Sequence, residues 1–164
     1  HSPGAMDLLC ETMRSIVPHL EDLGVTAVME THCISILNMP GACRALIEDV
    51  SSPNLRLVMD PVNHFESLRQ VYDSTKHLDH IFDVMGALGP VCHIKDITPE
   101  NGLVVHLSET VPGTGELDLH SMLRHFNSAF PDGYGLIEHL GVDKIPEAAS
   151  NVRRIAGEAH IPIT

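Results

Sequence analysis

Glu30, Asp60, His93 and Glu138 each close a short apolar run: residues 25–30 read VTAVME, 55–60 LRLVMD, 90–93 PVCH and 134–138 YGLIE. Runs of this length and composition read as strands. Three carboxylates and one imidazole therefore arrive at the same end of four successive strands. In parallel α/β architectures that end is where ligands and catalytic groups collect. Hard oxygen donors with one imidazole suit a divalent cation such as Mn²⁺ or Mg²⁺ better than a thiolate-type zinc site would. A single strand-end carboxylate is as often a helix cap or an ion-pair partner; four ligand types in register point to a metal.

Nearby residues extend this candidate site. His32 lies two residues past Glu30 and, on a continuing strand, points to the same side; it reads as a substrate contact or as a hydrogen-bonded structural histidine. Lys95 stands in the same relation to His93. Its cation could neutralise a developing oxyanion or bind a carboxylate or phosphate, or could pair with Asp96 or Glu138. Asn63 and His64 follow Asp60, and one of them is expected to reach the site. Gly113-Thr114-Gly115 is weak as a phosphate loop, because a lone GxG is common; a structural role is preferred.

The elements that must position these groups follow from periodicity. Leu8, Leu9, Met13, Ile16, Val17 and Leu20 recur at helical spacing over residues 6–23, with Pro18 as an interruption and Gly24 as a stop. Residues 25–31 form the first strand. Pro40 opens a helix over 41–50, 51–54 is a turn, and 55–60 is the second strand. A long helix is expected over 67–85, a third strand over 91–97, and a loop over 98–112. A helix over 118–130, a strand over 134–140 and a helix over 146–159 complete a pattern of one helix and four βα units. Apolar strands alternating with helices indicate a parallel sheet, in a single domain spanning residues 1–164.

Composition narrows the function. The chain has 164 residues, 43% hydrophobic and 4% aromatic, with no tryptophan, so aliphatic side chains must fill the core. A formal net charge of −12 argues against a nucleic-acid partner. No apolar run reaches the ~20 residues that span a membrane, and no signal-type leader opens the chain; a cytoplasmic protein with no membrane partner is expected. Cys10, Cys33, Cys43 and Cys92 form no CxxC pair and read as reduced thiols. Of the twelve histidines, His77, His80, His120 and His125 fall in helical patterns and are expected to face solvent.

The order of the motifs carries a resemblance. Met29-Glu30-Thr31-His32, Met59-Asp60-Pro61-Val62-Asn63, His93-Ile94-Lys95-Asp96, Pro112-Gly113-Thr114-Gly115-Glu116-Leu117-Asp118 and Leu136-Ile137-Glu138 follow one another with barrel-like spacing. This resembles the xylose isomerase-like TIM barrels, a superfamily of sugar-phosphate isomerases and epimerases that also holds the AP endonucleases. A (β/α)₈ barrel needs ~250 residues, so the resemblance implies strands five to eight, the C-terminal half. It implies one metal held by Glu30, Asp60, His93 and Glu138, most readily Mn²⁺, with Mg²⁺, Co²⁺ or Zn²⁺ as alternatives. Glu30 and Glu138 would move the proton through an ene-diolate, with His32, Asn63, His64 and Lys95 as substrate-binding residues.

The implied function is metal-dependent isomerisation or epimerisation of a small polyhydroxylated carbonyl compound. A lyase of the same barrel type, a dehydratase or decarboxylase, is the alternative, and a catalytically silent barrel fragment is the rival from another class. The bare inner face of four strands implies a second copy or a missing N-terminal half-barrel as partner. Three departures from the pattern stand out. Asn63 occupies a position where ketohexose epimerases place a histidine. No arginine follows His93 closely, the next being Arg124. Residues 98–112 offer His106 and Glu109 but no aspartate–x–histidine pair ahead of the glycine turn, which disfavours a nuclease.

Overall fold

In the computed structural model, residues 4–86 and 88–163 are described; residues 1–3, 87 and 164 of the expected domain lie outside them. Helix α1 (Ala5–Leu23) carries Pro18 without breaking, at the loss of one backbone hydrogen bond. It stops at Gly24, whose φ of 64° lets its N–H turn back to the carbonyls of Leu20 and Glu21. Strand β1 (Ala27–Glu30) is followed by α2 (Pro40–Val50), with proline in the first turn, and by β2 (Leu55–Met59).

The long helix expected over 67–85 is two helices, α3 (Leu68–Tyr72) and α4 (Ser74–Met85). Asp73 leaves helical geometry at φ −118°, ψ 45°. Ser74 explains the restart: its hydroxyl donates to Glu116 O at 3.2 Å and accepts from Asp118 N at 3.1 Å, tying α4 to the glycine turn.

The strand expected over 91–97 is also divided. Strand β3 (Val91–Ile94) ends before Lys95, and β4 (Asp96–Pro99) leaves the main sheet to pair antiparallel with β5 (Leu107–Thr110). Much of the stretch expected to be loop is therefore a hairpin. Helix α5 (Leu119–Ala129), strand β6 (Tyr134–Ile137) and helix α6 (Ile145–Glu158) follow.

The four main strands form one parallel sheet in the order β1-β2-β3-β6. Leu57, Met59 and Cys92 point to one face and are buried with Leu46, Leu78, Ile81, Met85 and Met122 from the helices. The opposite face carries Val28, Val58, Val91, Tyr134 and Leu136, and of these Val28, Tyr134 and Leu136 are exposed. Among the described residues no helix is long and apolar enough to cross a membrane.

Two glycines are required by close approach. A Cβ on Gly89 would lie 1.6 Å from Leu57 O, and one on Gly115 would lie 2.3 Å from Asp96 Oδ1 and 2.5 Å from Ile97 O. The glycine turn is structural, as its sequence suggests. Its N–H groups are spent on Asp96, whose buried carboxylate accepts from Gly113, Gly115, Leu117 and Ile97 at 2.9–3.1 Å. Burial raises the Asp96 carboxyl above its ordinary range against the pull of those donors. Gly115→Ala should cost roughly 2 kcal/mol or more, in the range of overpacking at a rigid site; a melting temperature equal to that of the unsubstituted protein would contradict this close packing.

The helical histidines correct an expectation. Only His80 is exposed. His77 Nε2 donates to His64 O at 2.8 Å, and its ring meets Phe65 edge-on. His125 stacks on Phe82 and pairs with Asp79 at 2.7 Å, and His120 pairs with Glu158 at 2.8 Å. Each of these three imidazoles ties its helix to a neighbouring element, and the His120 side chain remains 41% exposed.

Candidate metal centre

The sheet brings Glu30, Asp60, His93 and Glu138 together although up to 108 residues separate them in the chain. One ligand atom from each lies within 4.8 Å of all the others, a cluster that could hold a metal ion. Glu30 ends β1, Asp60 follows β2, His93 lies within β3 and Glu138 follows β6. The two buried ligands, Asp60 and His93, come from the inner strands, while the two more accessible glutamates come from the outer strands.

The geometry fits a cation. His93 Nδ1 faces Asp60 Oδ2 at 3.2 Å, Glu138 Oε2 at 3.0 Å and Glu30 Oε1 at 3.5 Å. A single N–H can serve one of three carboxylate oxygens. Three acceptors converging on one imidazole nitrogen is the arrangement of donors around a shared positive charge. The donor set, oxygens plus one imidazole, is that of a hard divalent ion.

Supporting residues orient the ligands. Asp60 caps the 3₁₀ turn over Pro61–His64, which returns Asn63 beneath the site. Asn63 Nδ2 donates to Asp60 Oδ2 and to Thr31 O, each at 2.9 Å, and reaches Glu30 Oε1 at 3.5 Å. His64 is buried below. Its Nε2 meets Thr31 Oγ1 at 3.1 Å and its Nδ1 meets Asn38 O at 3.3 Å. Burial lowers its pKa, consistent with a neutral ring bridging two segments. Of the pair after Asp60, Asn63 is the one placed at the ligands.

His32 is not brought to the site. The strand does not continue past Glu30; Thr31 turns inward and is fully buried, and the exposed His32 ring accepts from Ile34 N at 3.2 Å, closing the next turn. Lys95 is brought in completely. Its Nζ lies 2.6 Å from Asp60 Oδ2, 2.9 Å from Glu138 Oε2 and 3.6 Å from Glu109 Oε1. Its pairing is with the ligand carboxylates; Asp96 is occupied with the glycine turn. Burial pulls the Lys95 ammonium downward, but Asp60 and Glu138 outweigh it and hold its pKa well above the ordinary lysine value. Burial likewise pushes Glu138 up, and Lys95, then His93 and His139, bring it below the usual carboxylate range.

Two residues at the site escaped the sequence reading. Glu109, delivered by the hairpin, holds His139 Nδ1 at 2.9 and 3.0 Å. His139 has φ 58°, a conformation uncommon outside glycine, and its Nε2 lies 3.5 Å from Glu138 Oε2. The adjacency of His139 to Glu138 was the available signal. Nothing local to Glu109 marks it.

The family model of the xylose isomerase-like TIM barrel matches residues 1–155. A search of curated proteins finds no match. Among solved structures, a xylose isomerase-like TIM barrel protein from Mycobacterium smegmatis in complex with magnesium superposes with a TM-score of 0.72 at 19% identity, covering 97% of this chain and 52% of that one. The probable 3-DHS dehydratase involved in petrobactin synthesis from Bacillus anthracis gives 0.63 at 12% identity, covering 90% and 55%. The 3-keto-D-glucoside 4-epimerase from E. coli gives 0.59 at 17% identity, covering 98% and 56%. The chain thus spans about half the length of these structures, and at such identities the likeness establishes the fold.

Proposed function

This chain belongs to the xylose isomerase-like TIM barrel family, and from that premise we propose that it forms the metal-binding half, strands five to eight, of an isomerase or epimerase acting on a small polyhydroxylated carbonyl compound. One observation carries the reading: four metal-type ligand atoms within 4.8 Å, with a glutamate on each outer strand and the two buried ligands between them.

A divalent ion bound there, most readily Mn²⁺, would supply a Lewis acid for the substrate carbonyl and an adjacent hydroxyl. The remaining chemistry belongs to the side chains. Asp60 is fully buried, so it holds and does not exchange protons with substrate. Glu30 and Glu138 remain accessible and, from the two edge strands of the sheet, would flank the substrate. One carboxylate takes the proton from the carbon beside the carbonyl, leaving an ene-diolate. The other returns a proton, to the opposite face of that carbon for epimerisation or to the neighbouring carbon for isomerisation. The Lys95 ammonium is buried behind Asp60 and Glu138, so it adds positive potential at the site through these carboxylates and not by touching substrate. Asn63 fixes the carboxylates of Asp60 and Glu30. The exposed inner face at Val28, Tyr134 and Leu136 is covered, in this reading, by further strands, from a second copy or from additional sequence.

A dehydratase or decarboxylase is the second reading, favoured by the dehydratase among the similar structures. Dehydration begins with the same proton abstraction, decarboxylation reaches an enolate by loss of carbon dioxide, and product mass separates both from isomerisation. Mn²⁺-loaded protein incubated with a panel of ketoses and keto sugar acids is expected to yield products isomeric with their substrates. A product lighter by one water or one carbon dioxide assigns the protein to the lyases.

A further inference from the structure

The charge balance of the metal centre gives Lys95 a role toward the metal itself. Glu30, Asp60 and Glu138 bring three carboxylates together, and Glu109 adds a fourth beside them. Among the described residues, Lys95 is the one lysine or arginine within 4 Å of any of these four. Its side chain is 1% exposed. Nζ reaches Asp60 Oδ2 and Glu138 Oε2, the same two oxygens that face His93 Nδ1. Neither contact is aligned as a hydrogen bond, so Nζ and Glu138 Oε2 are buried without a directed partner. An ammonium so placed is held by charge, and it shares its oxygens with any ion entering the cluster.

Building on the metal-centre reading, we propose that Lys95 is the resident cation of this centre: it holds the ligand carboxylates together when no ion is bound and then sets the charge of the ion accepted. The three cluster carboxylates, an imidazole that must be neutral to ligate a metal, and one ammonium sum to −2, which a divalent ion neutralises; Glu109 is paired with His139 and is left outside this sum. Without the ammonium the sum is −3, which favours a trivalent ion. The ammonium stabilises the ion-free protein and, by Coulomb repulsion, weakens binding of the metal. Lys95 is in this sense a positioning and selectivity residue.

Calorimetric titration with Mn²⁺ and with La³⁺ tests this on the unsubstituted protein, Lys95→Met and Lys95→Gln. Both variants are expected to bind Mn²⁺ about ten-fold or more tightly and to gain still more for La³⁺, because repulsion scales with the charge of the ion. Their ion-free melting temperatures are expected to fall by several degrees. If the variants do not fold without metal, Mn²⁺ is expected to restore the folded state, since the ion then replaces the missing cation; failure to restore it overturns the proposal. Equal or weaker Mn²⁺ binding in the variants, with normal binding by the unsubstituted protein, overturns this proposal alone. An unsubstituted protein that binds no Mn²⁺ overturns both it and the metal-centre reading.

Discussion

Asp60→Ala is expected to abolish Mn²⁺ binding. Asp60 is fully buried, and its Oδ2 is the atom on which His93, Lys95 and Asn63 converge. Loss of a partner outside the ligand set typically costs roughly 10–100-fold in metal affinity; removal of a central ligand should exceed that. A ligand that binds only the native state stabilises it by about 2.7 kcal/mol when present at 100 times its Kd. For a chain of this size that corresponds to a rise of roughly 5–10 °C in Tm, which the variant should lack. Alanine also removes the cap of the 3₁₀ turn and the partner of Lys95, so Asp60→Asn provides the isosteric comparison and is expected to lose binding as well. Mn²⁺ titration curves unchanged in both variants would remove Asp60 from the centre.

Glu30→Gln and Glu138→Gln are each expected to suppress solvent-proton incorporation. If these carboxylates exchange a carbon-bound proton, substrate turned over in D₂O should acquire deuterium at the carbon beside the carbonyl. The amide retains the shape of the carboxylate but cannot accept the proton, so incorporation should fall by roughly 10²–10⁴-fold, the range of general acid–base catalysis. The two substitutions should differ in their side effects. Glu138 contacts Lys95 and His93 closely, whereas Glu30 lies farther from His93 and is about half exposed. Glu138→Gln should therefore perturb metal affinity more than Glu30→Gln. Turnover that leaves no solvent deuterium in the product would favour a hydride shift and retire the paired-glutamate mechanism.

The departures from the family pattern acquire a physical meaning in the structure. Asn63, standing where a histidine might approach substrate, instead spends its amide on Asp60, Thr31 and Glu30. It ties the ends of β1 and β2 into one unit. In place of an arginine after His93, the chain turns at Lys95 into a hairpin that returns Glu109 and, through it, His139 to the mouth of the site.

The clustering of four side chains that could hold a metal was legible in the amino-acid sequence because two local regularities coincide there. Each apolar run is short enough to be a strand, and in a parallel sheet every strand presents the same end to the same side. The ligand type at the end of each run therefore places Glu30, Asp60, His93 and Glu138 together without knowledge of distances. The glycine turn was carried by the family resemblance, because a lone GxG is weak evidence by itself. The order of helices was carried by periodicity over ten or more residues, enough to outweigh exceptions such as Pro18.

What only the tertiary structure decided is where the chain leaves its regular path. His32 was placed by assuming that β1 continues, but Thr31 gains more by burial against His64, and the strand ends at Glu30. Val91 to Ile97 reads as one apolar strand. It divides at Lys95, whose ammonium lies among the carboxylates of Asp60, Glu138 and Glu109. Glu109 lies in four residues, Leu107–Thr110, too short and too polar to register as a strand, and its contacts with Lys95 and His139 span 14 and 30 residues of sequence. Local pattern determines which groups stand at the strand ends; electrostatics among groups distant in the chain determines how they are held and which neighbours join them.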